Sequence, residues 1–337
     1  MSYLSLDHLD DDTLARVLAL ARKVQQEPIS DVLKGKVLGL VFMNPSLRTL
    51  ASMQAGMAQL GGSSFVLTPG ASTWDLETEL GVVMDGTKAE HAREAVPVLE
   101  QYCDALGLRC FAKGVDLTDD AREPVLSAFS EAGNKPLINL ESALDHPCQA
   151  LADHKTLDDL GIPKDGKIVL TWAWHPKALP LAVPAAVAAM AVRRGMELVV
   201  HRPEGFGMPA PVAARIDAQA ARGGGSWSET DSPDALEGAH VIYAKSWGST
   251  TAYGDAAGDA LLRQGLRSWC VDEDWFTPAQ PDAPFLHCLP VRRNVVVADS
   301  ILDGPRSRVV LQAGNRLHAQ KALLWHLLAS RGPHDVQ

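Results

Sequence analysis

The feature that most limits what this chain can become is an alternation of short, nearly continuous apolar runs with stretches of helical periodicity. Candidate strands in the first half are Val37 to Met43, Ser64 to Leu67, Ala105 to Phe111 and Pro136 to Leu140. In the second half they are Lys167 to Ala173, Met196 to His201, His240 to Lys245, Ser268 to Asp272, Phe285 to Cys288 and Arg308 to Gln312. Strands that are apolar throughout have both faces covered, and helices between them act as crossovers, so the pattern predicts parallel sheets flanked by helices. At roughly 150 residues per domain, 337 residues divide into two α/β domains. The expected partition is 1–145, 146–315 and a terminal segment 316–337, whose helix Arg316 to Leu328 packs back on the first domain. An opening helix carries Leu14, Val17, Leu18 and Ala21 on one face behind an Asp-rich N-cap, and a helix Ala150 to Leu160 follows the boundary segment Glu141 to Gln149.

Charge narrows the function classes. With 31 Lys+Arg against 41 Asp+Glu, the formal charge is −10, which argues against wrapping nucleic acid or lying on an anionic membrane. Any bound anion must be held by a local cluster. The longest apolar run, Ala178 to Val192, contains Pro180 and Pro184 and reads as a buried helix, not a membrane span. The acidic start, Met1 to Asp12, lacks the features of a signal or transit peptide, so a cytoplasmic protein is expected. Cys103, Cys110, Cys148, Cys270 and Cys288 are scattered, odd in number and without a C-x-x-C pair, which suits free thiols and indicates neither a disulfide framework nor a metal site. Gly223-Gly224-Gly225 does not open a helix after a strand and reads as a surface turn, not a phosphate cradle.

Polar residues recur just past the apolar runs. Ser46, Leu47, Arg48 and Thr49 follow the strand Val37 to Met43 and precede a helical pattern Leu50, Met53, Met57, Leu60. A helix N-terminus offers unsatisfied N–H groups and a positive dipole end to phosphate, while hydroxyls and a guanidinium add donors. The same residues also suit an ordinary serine N-cap. Arg109 closes another apolar run, and His146-Pro147-Cys148-Gln149 opens a helix soon after the run that ends near Glu141. Open α/β sheets hold ligands at the carboxyl ends of their strands, so these ends point to one ligand crevice. In the second half, His175-Pro176-Lys177, Lys245-Ser246-Trp247 and His287 to Asn294 stand in the same relation to their strands. Cys288 could serve as a thiol nucleophile, but no dedicated base can be named, and Cys148 and Cys288 equally suit inert neighbours of a ligand.

The set Ser46-Leu47-Arg48-Thr49, His146-Pro147-Cys148-Gln149 and His287-Cys288-Leu289-Pro290 resembles the aspartate and ornithine carbamoyltransferase superfamily, from about Leu14 to Leu328. The resemblance implies two Rossmann-like α/β domains with parallel sheets, one binding carbamoyl phosphate and one the amine substrate. The segments Thr171 to Lys177, Tyr243 to Trp247, Cys288 to Asn294, Thr73 to Glu77 and Val83 to Gly86 are similar to the branch acting on N-acylated ornithine. What this implies is transfer of a carbamoyl group from carbamoyl phosphate to the δ-amino group of an N-acyl-L-ornithine, giving N-acyl-L-citrulline and phosphate in arginine biosynthesis. It also implies a homotrimer in which the Trp74 loop reaches a neighbouring active site, with no metal and no organic cofactor.

By the same resemblance, Ser46, Leu47, Arg48, Thr49, Trp74 and Arg109 grip the phosphate, and His146 and Gln149 polarise the carbamoyl group. Pro147, Cys148, Cys288 and Leu289 line that pocket, and Arg109, His146, Gln149 and Cys288 form the catalytic set. Glu141, His175, Lys245, Arg292 and Arg316 match positions that bind the acylornithine. The position before Glu90-His91 bears on the acyl group, being glutamate in acetylornithine enzymes and proline in succinylornithine enzymes. Here it is Ala89, which removes a carboxylate that would repel a succinyl group, so N-succinyl-L-ornithine is favoured over N-acetyl-L-ornithine.

Two departures from the family pattern stand out. Leu50 replaces the second arginine of S-x-R-T-R, which either completes an apolar face or weakens anion binding. Val296 stands near where the acetylornithine branch can carry a lysine. The competing classes are a non-catalytic paralogue, supported by Leu50 alone, and a dinucleotide-dependent oxidoreductase, opposed by the lack of G-x-G-x-x-G after any candidate strand.

Overall fold

A computed structural model describes residues 2–329. Its elements begin with α1 (Asp11–Gln26), β1 (Val37–Phe42), α2 (Leu47–Gln59), β2 (Ser63–Leu67), β3 (Leu76–Glu77), β4 (Glu90–His91), α3 (Ala92–Tyr102) and β5 (Ala105–Arg109). Then come α4 (Leu117–Asp120), α5 (Pro124–Ala132), β6 (Leu137–Glu141), α6 (Pro147–Asp159), β7 (Lys167–Trp172), α7 (Ala182–Arg193) and β8 (Glu197–His201). The chain continues with α8 (Ala210–Gly223), β9 (Ser226–Thr230), β10 (Val241–Lys245), α9 (Ala256–Gln264), β11 (Phe285–Leu286), α10 (Asp299–Asp303) and α11 (Val309–Leu328). The described chain divides into unit 1, residues 2–111, 122–142 and 316–329, and unit 2, residues 112–121 and 143–315. Met1 and the end of the expected segment 316–337 lie outside the described residues.

Unit 1 contains a parallel sheet in the order β2-β1-β5-β6. Its central strands are apolar because both faces are covered, and Gly39 in β1 is needed for that closeness: a Cβ there would lie 2.8 Å from both Leu106 and Phe65 side-chain atoms. α1 starts at Asp10, whose carboxylate accepts the Thr13 N–H, and buries Leu14, Val17, Leu18 and Ala21 as the periodicity predicts. From Arg316 onward α11 belongs to unit 1, where the buried Lys321 ammonium donates to the Val24 carbonyl at 3.2 Å and to Gln59 at 3.0 Å. A small parallel pair, β3 with β4, was not expected; it sets Leu76 beside Glu90 and Glu77 beside His91.

Unit 2 contains a five-stranded parallel sheet in the order β11-β10-β7-β8-β9. α7 is buried along its whole length, as the apolar run predicts, although it begins only at Ala182. An aromatic group surrounds His201: Trp269 and Trp275 lie with ring centroids 4.6 and 5.4 Å away, and Trp269 in turn meets Trp172.

Three local expectations need correction. Arg308 to Gln312 is no strand but the start of α11; short apolar runs suit either period, and here no breaker separates the run from the helix that follows. Ser268 to Asp272 supplies only an isolated bridge between Val271 and Val297. The polar strand β9 was missed because an edge strand needs no continuous apolar run. The triple glycine is the turn that ends α8 with Gly224 at φ 77°, but it is packed tightly: a Cβ on Gly225 would lie 2.4 Å from the Val192 carbonyl oxygen.

Candidate active site

In unit 1 the polar groups gather where β1, β5 and β6 end. Ser46 is the N-cap of α2, its Oγ accepting the Thr49 N–H at 3.2 Å, so the serine cap and the phosphate-competent helix end are one structure. Leu47 is 79% exposed, which leaves its backbone as the part able to serve an anion. Thr49 is buried, and its hydroxyl accepts a hydrogen bond from Nη2 of Arg316 at 3.0 Å. Asn44, which sequence reasoning missed, ties the turn after β1 to the exit of β5 by accepting the Phe111 N–H at 2.7 Å.

Arg109 is the last residue of β5, and Glu141 the last of β6. Their side chains form a buried ion pair, and the guanidinium lies 4.5 Å from the centre of the Phe111 ring. Nε of Arg109 is buried with no hydrogen-bond partner among the described residues, a donor still to be satisfied. Sequence reasoning put Arg109 with the phosphate and Glu141 and Arg316 with the amine substrate; unit 1 holds all three, pairing Arg109 with Glu141 and Arg316 with Thr49.

Trp74 is 59% exposed, and its indole N–H donates to Glu90 at 2.7 Å. It lines an apolar groove of about 210 Å³ with Leu67, Leu76 and Val98. Ala89 is exposed and precedes β4 directly; nearby, Lys88 pairs with Glu77 at 3.2 Å. The backbone N–H of Glu79, with those of Thr78 and the Lys88 ammonium, holds the Glu77 carboxyl below its ordinary range. Leu50 is half-buried and continues the face on which Met53 and Met57 are fully buried, so it takes a packing place on α2.

In unit 2, His146 occupies the N-cap of α6, Pro147 stands at its first position, and Cys148 and Gln149 are buried in the first turn. Cys288 follows β11 and is buried. Leu289 has φ 58°, uncommon for a side-chain-bearing residue, and its N–H donates to Nδ1 of His287 at 2.9 Å.

The second polar group of unit 2 is cationic. Lys245 is the last residue of β10 and is buried; its ammonium has no ion-pair or hydrogen-bond partner among the described residues. His175 follows β7, and its Nε2 accepts from Nε of Arg292 at 3.1 Å. Burial, reinforced by the charges of Arg292, Lys245 and Arg263 and opposed by the Lys177 carbonyl, holds His175 below its ordinary pKa. Arg263, also missed, fixes this corner by donating to the His175 carbonyl at 3.0 Å while pairing with Asp259. Val296 is buried in the apolar core of unit 2. Among the described residues no group of His, Cys, Asp and Glu could hold a metal ion, and no helix is long and apolar enough to cross a membrane.

Comparison with known proteins matches both halves of the chain. Residues 2–159 match the aspartate/ornithine carbamoyltransferase carbamoyl-P binding domain, and residues 183–327 the Asp/Orn binding domain of the same family. The N-acetylornithine carbamoyltransferase of Xanthomonas campestris is 37% identical over 325 residues, 95% of each chain. The N-succinylornithine carbamoyltransferase of Bacteroides thetaiotaomicron is also 37% identical, over 95% of this chain and 96% of the relative. A crystal structure of acetylornithine transcarbamylase complexed with acetylcitrulline superposes with a TM-score of 0.94 at 36% identity, covering 98% of this chain and all of that one. With its motifs in place, two parallel α/β units and this kinship throughout, the chain belongs to the aspartate/ornithine carbamoyltransferase family and is a carbamoyltransferase.

Proposed function

We propose that the enzyme transfers the carbamoyl group of carbamoyl phosphate to the δ-amino group of an N-acyl-L-ornithine, giving N-acyl-L-citrulline and phosphate as a step of arginine biosynthesis. The observation that carries the acylated substrate is the cationic corner of unit 2. Lys245, Arg263 and Arg292 surround His175 there, and Lys245 has no partner carboxylate among the described residues. The α-ammonium of free ornithine would meet like charge at this corner, whereas acylation removes that charge and leaves the α-carboxylate to be bound.

In the reaction, the lone pair of the neutral δ-amine attacks the carbamoyl carbon, the C–O bond to phosphate breaks, and the amine proton leaves to phosphate or solvent. Ser46, Arg48, Thr49, Arg109 and the N-terminal N–H groups of α2 would hold the phosphate, with Arg316 supporting Thr49. His146 and Gln149 would hold the carbamoyl group, together with backbone groups near Cys288 and Leu289, and Glu141 would face the attacking amine. Preorganised donors of this kind commonly contribute about 3 kcal/mol each to transition-state stabilisation. Cys288 acts here as a pocket wall and not as a nucleophile, since direct transfer needs no covalent intermediate.

N-succinyl-L-ornithine is the favoured substrate. Ala89 puts no charge before β4, and the adjacent Glu90 carboxylate already accepts from Trp74. Kinship does not choose, because relatives of both names are 37% identical. We also assign a homotrimer, in keeping with the exposed apolar residues Trp74, Leu80, Val83 and Met84 in and after the Trp74 loop.

The test is side-by-side assay of ornithine, N-acetyl-L-ornithine and N-succinyl-L-ornithine with carbamoyl phosphate. Turnover is expected for acylated substrates, with the highest kcat/KM for the succinyl compound; faster turnover of unacylated ornithine would refute the assignment. Ala89→Glu is expected to lower kcat/KM for succinylornithine by about tenfold, the size of one like-charge contact of about 1.4 kcal/mol, with little change for acetylornithine. Equal loss on both substrates would remove the charge argument.

A further inference from the structure

Asp153 is fully buried in α6, carries a titratable group, and has no part in the reaction as described above. Its surroundings are ordered by hydrogen bonds. Nε2 of Gln149, one turn earlier on the helix, donates to Oδ1 at 2.8 Å, and Nε2 of Gln312 donates to the same oxygen at 2.7 Å. The Tyr243 hydroxyl donates to Oδ2 at 3.1 Å. Gln312 in turn accepts the backbone N–H of His287 at 2.9 Å through its carbonyl oxygen. One carboxylate therefore touches the glutamine of the His146–Gln149 segment directly and reaches the segment after β11 through a single intermediate.

We infer that Asp153 is a positioning residue for carbamoyl transfer, fixing the amide of Gln149 and, through Gln312, the backbone that runs from His287 to Leu289.

The chemistry of the groups makes this more than proximity. Oδ1 of Asp153 accepts from the amide nitrogens of both glutamines, and so holds those nitrogens turned towards it. The carbonyl end of Gln149 is thereby turned to the opposite side, and the carbonyl end of Gln312 meets the His287 N–H, as observed. Burial and the adjacent carboxylate push the Tyr243 phenol well above its ordinary pKa, which keeps it a donor to Oδ2 at any working pH. Without Asp153 both amides could rotate, and a carbamoyl group held by either segment would lose its fixed orientation. This inference rests on the reading that Gln149 and the residues around Cys288 meet the carbamoyl group.

A double-mutant cycle on the full-length enzyme tests it. Asp153→Ala is expected to lower kcat by about 30-fold, with KM for N-succinyl-L-ornithine changed by less than about threefold, as loss of orientation predicts. Asp153→Asn should recover kcat to within about fivefold of the parent, because its one carbonyl oxygen can accept from both glutamines while its nitrogen donates to Tyr243. In a Gln149→Ala background, adding Asp153→Ala should cost less than about threefold more, since the first change already removes what Asp153 positions. Additive losses, or parent kcat in Asp153→Ala, would overturn the inference while leaving the substrate assignment intact. A fully active Gln149→Ala enzyme would overturn both this inference and the carbamoyl-holding role of Gln149. If Asp153→Ala fails to fold by circular dichroism, Gln312→Leu takes its place in the cycle with the same non-additivity expected.

Discussion

His175 accepts the Nε–H of Arg292 through Nε2, which requires that nitrogen to be unprotonated, while its Nδ1 lies 2.9 Å from the Lys177 carbonyl oxygen and 3.1 Å from the Lys177 backbone nitrogen. Because burial and the neighbouring cations depress its pKa, the neutral form persists somewhat below pH 6.5. As pH falls through the lowered pKa, Nε2 takes a proton and the contact with Arg292 turns repulsive. KM for N-acylornithine should therefore rise on the acid side with a smaller change in kcat, and His175→Phe should show a raised KM that no longer varies with pH between about 5 and 8. Steady-state kinetics across that range check it; an unchanged acid limb in the variant would count against the assignment. The linkage sign agrees: a histidine with a depressed folded pKa supports stability above its ordinary pKa and withdraws that support as pH falls through the folded value. That His175, Lys245 and Arg292 follow apolar runs is visible in sequence. That Arg109 pairs with Glu141, or that three donors converge on Asp153, is not, because those contacts depend on which strand ends and helix faces come together.

At the scale of elements, α2 performs two tasks with one residue. Ser46 closes the helix by accepting the Thr49 N–H, and in the proposed reaction the remaining N–H groups of the same turn would meet the phosphate. Ser46→Ala should reduce unfolding free energy by about 1 kcal/mol, the usual loss of an N-cap, and raise KM for carbamoyl phosphate more than KM for the acylornithine. Denaturant midpoints and paired KM measurements read the two effects separately. Most strands were legible because parallel sheets demand continuous apolar runs, and β1, β5, β6, β7, β8 and β10 have them. β9 escaped because its Ser226–Thr230 sequence is polar, and the start of α11 was misread because Val309, Val310 and Leu311 fit either period until Asn315 and Arg316 extend the helix. The pair β3 with β4 is two residues per strand, too short for any periodicity to declare.

For the whole molecule, the excess of ten negative charges and the cationic groups within it are compatible because charge acts locally. In the proposed reaction Lys245, Arg292 and Arg316 would meet small anions at short range, whereas a polyanion would meet a chain whose net charge is negative. The exposed apolar residues near Trp74 belong to the same scale: an isolated chain would leave them in water. Light scattering on the purified enzyme should give three times the 36.1 kDa chain mass, and Val83→Lys should shift that mass towards the single chain; a monomeric, fully active parent would refute the trimer. The rings around His201 have a consequence of another kind. Burial, with Asp231 opposing, lowers that imidazole to about pKa 4, so it stays uncharged beside Trp269 and Trp275 until the solution is strongly acid. An imidazolium quenches indole emission and a neutral ring does so far less, which gives unit 2 an internal light signal that dims as its aromatic layer begins to admit protons.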